Sequence, residues 1–171
     1  MGYYLAYGSN LNKKQMKYRC PDARPCGKTV IEDMRLVFRR GFLTIEESPG
    51  GRVPVGVWRI SETDEAALDR YEGYPRFYEK MYIDVDYRGG IDVTIPCLVY
   101  IMNDGFPIEE PTMDYLKTVV QGYKDFGMGE CTELFDAWAE SKKDGIRKED
   151  EEGSQRWSAQ WRADEEGGEQ G

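Results

Sequence analysis

The 171-residue chain contains no histidine. That one absence removes a Ser-His-Asp triad, a Cys-His pair, a His-ligated zinc site and a HExxH helix, because each needs an imidazole. Any acid–base chemistry must therefore run on carboxylates, tyrosines, lysines or cysteines. Basic residues are outnumbered, 23 Lys and Arg against 32 Asp and Glu, for a formal net charge of −9. No nucleic-acid partner is expected, since phosphate binding needs a basic patch and the densest one, Arg35, Arg39 and Arg40, is flanked by acids. Apolar runs are short as well. None reaches the roughly 18 residues of a membrane span, and MGYYLAYGSN has neither a basic n-region nor a long apolar h-region. The expectation is a cytoplasmic protein without a membrane partner. The four cysteines, Cys20, Cys26, Cys97 and Cys131, are unevenly spaced, which points to reduced thiols and to no metal site.

What is present divides the chain in two. Residues 1–140 carry the apolar periodicities of a folded domain. From Ser141 to Gly171 the only aliphatic residue larger than alanine is Ile146, so 141–171 is expected to be a charged, Gly-rich, disordered tail. Trp157 and Trp161, four apart, offer a possible docking spot within it.

Within the body, strands and helices are interspersed. Tyr3–Tyr7 reads as a buried strand ending in a turn at Gly8, and Asn10 or Asn12 caps a short helix through Arg19 that stops before Pro21. Thr29–Phe38, Leu43–Glu46 and Val53–Ile60 read as strands. Ser61, with Asp64 three residues on, starts a helix with Ala67, Leu68 and Tyr71 on its apolar face, and Gly73 stands at its left-handed C-terminal position. Tyr78–Tyr87 and Ile91–Met102 form a hairpin around Gly89-Gly90. Two helices follow, Thr112–Phe126 and one carrying Cys131, Leu134, Phe135 and Trp138 on a face. The fold class is α+β.

Two stretches join a backbone device to polar groups. In Tyr7-Gly8-Ser9-Asn10 a strand runs into a helix through glycine, so its amides can form a nest for a carboxylate or phosphate, or the segment is a plain capped turn. Glu72 stands in the last turn of a helix, where the dipole disfavours an acid, amid Tyr71, Tyr74 and Tyr78. It is either a buried carboxylate tuned upward as a general base or a solvated surface glutamate.

Together, Tyr4-Leu5-Ala6-Tyr7-Gly8-Ser9-Asn10 and Leu68-Asp69-Arg70-Tyr71-Glu72-Gly73 closely resemble the γ-glutamylcyclotransferase-like (AIG2-like) family, over about Met1 to Trp138. The resemblance implies a small, mixed, barrel-like β-sheet with flanking helices and a cavity at one mouth. It implies that Tyr4, Leu5, Ala6, Tyr7, Gly8, Ser9 and Asn10 bind the α-amino-acid end of a small γ-glutamyl substrate. It also implies that Glu72 is the acid/base and that Tyr78 and Tyr115 line the pocket. The reaction it implies closes the substrate to 5-oxoproline and frees an amine, without metal or cofactor. Two alternatives stand beside it: cleavage of a γ-glutamyl group from a larger substrate, and a non-catalytic small-molecule or protein-binding member of the same fold. Loops at Gly50-Gly51 and Asn103–Pro111 are expected to set the pocket size.

Overall fold

A computed structural model describes residues 1–88 and 92–152. The Gly89-Gly90 turn, Trp157 and Trp161 lie outside the described residues. Five strands form one mixed sheet in the order β2-β3-β1-β5-β4. Strand β1 (Gly2–Ala6) is central, antiparallel to β3 (Phe42–Ile60) and parallel to β5 (Asp92–Met102), with Tyr4 opposite both Trp58 and Leu98. Its Tyr4, Leu5 and Ala6 are buried, as an unalternating apolar run in a central strand should be.

Strands β2 (Arg24–Arg39) and β3 make one long ribbon. The sequence reading broke β3 at Ser48-Pro49-Gly50-Gly51; the structure keeps it continuous and absorbs the irregularity as a bulge. Asp33, at φ 58°, accepts the Gly50 amide at 2.8 Å, and a Cβ on Gly51 would lie 2.5 Å from the Met34 carbonyl. Glycine there allows two backbones to touch. Strands β4 (Tyr78–Arg88) and β5 pair antiparallel as expected. Because β1 is short, the start of β3 curls past it. There the Met102 amide donates to Thr44 Oγ1 at 2.9 Å and the Tyr78 hydroxyl to the Leu43 carbonyl at 2.9 Å. These side-chain bonds bring β3 to the ends of β4 and β5 and make the mouth in which the site lies.

Helices complete the body. Asn12, rather than Asn10, caps α1 (Lys13–Arg19), accepting the Gln15 amide at 3.0 Å, and a one-turn 3₁₀ helix, Ser9–Leu11, occupies the intervening residues. A complete Ser61/Asp64 capping box opens α2 (Glu62–Glu72), and Gly73 closes it in the left-handed region at φ 67°. Helix α3 (Met113–Asp125) packs on the 3₁₀ turn through Gly122, where a Cβ would stand 2.5 Å from Leu11 Cβ. Helix α4 (Thr132–Glu152) lies against β2. Its buried face is Leu134, Ala137 and Ser141, continued by Cys131 just before the helix, while Phe135 points outward, so the apolar stripe is rotated from the expected one. The helix runs through residue 140, and the fully buried Ser141 bonds the Trp138 carbonyl at 2.6 Å.

Candidate active site

Strand β1 delivers Tyr4 to the mouth of the fold, the turn that follows it and the 3₁₀ helix deliver Tyr7, Gly8, Ser9 and Asn10, and the C-terminal turn of α2 delivers Glu72. All six face a cavity of ≈ 280 Å³, together with Tyr78 from β4 and Tyr115 from α3. Of the residues expected to bind substrate, Leu5 and Ala6 are the exceptions. Both side chains are fully buried in the core, and their backbones are spent on the β3 ladder opposite Val57 and Gly56. Tyr74, expected near Glu72, instead stacks under Lys80 on the surface.

Asn10 organises the site. It is almost wholly buried, and its Nδ2 donates to both Tyr4 Oη and Glu72 Oε1 at 3.0 Å. Its Oδ1 accepts from Arg19 Nη1 at 2.8 Å, and its carbonyl accepts from Trp58 Nε1 at 2.9 Å. An arginine can only donate, so Arg19 fixes which way the amide faces and aims the NH₂ group at Glu72. Arg19 is itself held by Gln15 at 2.6 Å and lies 3.7 Å over the ring of Tyr71, whose hydroxyl bonds Ser9 Oγ at 3.0 Å. The helix end bearing Glu72 is thereby tied to the turn after β1.

Burial of the Glu72 carboxylate pushes its pKa up to about 7, against the opposing pull of the Arg19 charge and the Asn10 hydrogen bond. Both protonation states are then populated at neutral pH, as a group that takes and returns a proton requires. The surrounding phenols go the other way. Burial, with the nearby Glu72 charge, drives the Tyr4, Tyr7, Tyr78 and Tyr115 hydroxyls above the ordinary phenol range, so they serve as neutral hydrogen-bonding groups. Tyr78 spends its proton on the Leu43 carbonyl. Tyr115 Oη accepts the Leu43 amide at 3.2 Å, which leaves its own proton available. A Cβ on Gly8 would come within 3.2 Å of that same oxygen, so the turn and Tyr115 face each other closely. No cysteine lines the cavity, and burial makes three of the thiols poor nucleophiles, raising Cys20 to about 12 and Cys97 and Cys131 to about 11. Among the described residues no group of His, Cys, Asp or Glu is arranged to hold a metal, and no helix is long and apolar enough to cross a membrane.

Sequence reasoning missed Arg19, Arg40 and Tyr100. Tyr100 and Arg40 line the cavity, and Arg19 stands behind it. Nothing local marks them, because each reaches the site from an element whose packing had to be known first.

An α+β fold with one cavity that joins Glu72 to a glycine turn has the build of a small-molecule site. The chain belongs to the gamma-glutamyl cyclotransferase, AIG2-like family, whose model matches residues 4–121. It is 31% identical over 137 residues to a mouse (Mus musculus) gamma-glutamylcyclotransferase, covering 73% of this chain and 71% of that one. The human (Homo sapiens) gamma-glutamylcyclotransferase is 28% identical over the same length and coverage. Among solved structures, one described as a gamma-glutamyl cyclotransferase superposes with a TM-score of 0.67 at 24% identity, covering 82% of this chain and 86% of that one, which shows the shared fold.

Proposed function

We propose that the protein cyclises a γ-glutamyl amine or peptide to 5-oxoproline, releasing the free amine, with Glu72 as the general acid/base. The observation that carries this reading is the Glu72 carboxylate, poised near pH 7 and held by Asn10, in one cavity with the Tyr7–Ser9 turn. The substrate supplies its own nucleophile, since its α-amine attacks its side-chain carbonyl and closes a five-membered lactam. No serine, cysteine or metal is needed.

The enzyme's first task is then to hold a folded substrate. Intramolecular attack in the right geometry is worth effective molarities of about 10⁵–10⁸ M. Glu72 takes a proton from the α-ammonium, the free amine adds to the carbonyl, and Glu72 returns that proton to the leaving nitrogen as the C–N bond breaks. The second proton, shed by the attacking nitrogen as the lactam forms, ends on the released amine as its ammonium. The Gly8 and Ser9 amides and the free Tyr115 proton supply donors for the α-carboxylate and the developing oxyanion. The cavity lies near the lower end of small-ligand pockets, about 300 Å³, which suits a compact substrate.

Incubation with a panel of γ-glutamyl amines and peptides, followed by 5-oxoproline detection, tests the proposal. Glu72→Gln with an intact fold should lose at least about 10²-fold in kcat. Full activity in that variant sinks the acid/base role. In a histidine-free chain, an acid limb of the pH–rate profile near pH 7 has no imidazole to explain it.

A further inference from the structure

Arg40 sits at the tip of the β2–β3 hairpin, with its backbone in the left-handed region at φ 54°. Its position is fixed from several sides. The Arg40 amide donates to the Pro107 carbonyl at 2.9 Å, Arg39 Nη1 donates to the Phe106 carbonyl at 2.9 Å, and Arg39 bridges Ile108. The guanidinium lies 4.1 Å over the ring of Phe77 and 5.4 Å from that of Phe106, at the rim of the cavity that holds Glu72. Phe77 in turn packs on Gly73, the residue after Glu72, where a Cβ would stand 2.5 Å from its ring.

Its neighbours in sequence have different duties. Arg35 and Arg39 both pair with Glu46, and Arg35 also with Glu140. Arg40 pairs with no carboxylate among the described residues. A guanidinium held over a ring face spends none of its five N–H donors on that contact, so they remain for a carboxylate, which arginine can grip with two bonds. Among the described residues Arg40 is the one cation lining this cavity, and Glu72 the one acid.

We propose that Arg40 determines specificity by binding a carboxylate on the leaving amine, so that the site favours γ-glutamyl amino acids and peptides over uncharged γ-glutamyl amines. This rests on the cyclisation reading above. Glu72 must meet the α-ammonium, and the substrate's own α-carboxylate is one carbon from that nitrogen, beside the Gly8–Ser9 turn. The leaving amine points toward the exit, where Arg40 is exposed at the rim. No residue of the Asn103–Pro111 segment lines the cavity; the segment bears on it by holding Arg40, through the Phe106 ring and the Pro107 carbonyl. Gly50 and Gly51, also expected to set the pocket size, lie in the β3 bulge and are absent from the cavity lining.

γ-Glutamylalanine and γ-glutamylethylamide differ by that one carboxylate and form the test pair. Arg40→Asn suits the left-handed backbone, and Arg40→Lys restores the charge without the fork. In the wild type, kcat/KM for 5-oxoproline formation should favour γ-glutamylalanine about tenfold, an advantage weakened by salt. The ratio should fall toward one in Arg40→Asn, through KM, with Arg40→Lys between. An unchanged ratio overturns the inference. Equal losses on both substrates also overturn it and place Arg40 on the glutamyl half. If neither compound is turned over, cyclisation of this class fails, and calorimetric binding of the same pair still decides on Arg40. A Kd preference abolished in Arg40→Asn sustains its role; equal Kd values, or no binding, end it.

Discussion

Glu72 should weaken the fold that holds it. Its carboxyl moves from an ordinary 4.5 to about 7 because folding buries it, so the folded state retains a proton that the unfolded chain has released. Between those two values stability must fall as pH rises, since the folded state binds more protons than the unfolded one. Below about 4.5 both states are protonated and nothing is lost; above about 7 the loss is complete. At ~1.4 kcal/mol per pH unit the displacement corresponds to roughly 3 kcal/mol, reduced to about 2 kcal/mol for the part of the residue still open to water. Glu72→Gln removes the charge and keeps an oxygen to accept from Asn10. It should therefore match the wild type near pH 4.5 and exceed it by about 2 kcal/mol at pH 8, or roughly 4–8 °C in Tm for a chain of this size. Denaturant melts of both proteins across pH 4.5–8.5 measure the difference. A stability difference that does not change with pH would refute the buried-carboxylate argument, whatever the variant's activity.

Three further expectations follow from the same contacts. Arg19→Gln removes the cation that favours ionised Glu72 and frees the Asn10 amide to turn, so the acid limb of kcat/KM should move alkaline by up to about one pH unit; an unmoved limb refutes the positioning role. Gly122→Ala places a methyl against Leu11 and the Asn12 amide, and overpacking of about 1–3 kcal/mol should outweigh the gain of up to about 1 kcal/mol in helix propensity, lowering Tm and, through the displaced 3₁₀ turn, kcat. Cutting the chain after Glu140, the boundary proposed from composition, removes the buried Ser141 from within α4 and should cost about 1 kcal/mol in a chemical melt, with kcat unchanged because no described side chain of α4 lines the cavity.

Local chemistry carried the legible parts of the fold. The Ser61/Asp64 box, Gly73 and the alternation around Val53–Ile60 each involve neighbours a few residues apart, so the elements they define stand where the pattern put them. Errors arose where distant contacts override local preference. Pro49-Gly50-Gly51 has the composition of a turn, yet the ladder with β2 and the bond to Asp33 hold it in a bulge. Phe135 is as apolar as Leu134, and only the packing against β2 decides which is covered.

By itself the sequence determined the type of chemistry. Without histidine it left carboxylates, tyrosines, lysines or cysteines to carry protons, and an acid in the last turn of a helix before Gly73 singled out Glu72 as a candidate beside the Tyr7–Asn10 turn. Only the tertiary structure decided that these two stretches share a cavity, that Leu5 and Ala6 belong to the core, that Arg19 holds Asn10 and that Arg40 lines the cavity. The physical reason is that a pKa and a binding geometry are properties of surroundings. Desolvation of Glu72 comes from tyrosines on three strands and two helices, and the orientation of Asn10 comes from an arginine whose reach is set by the turn between them.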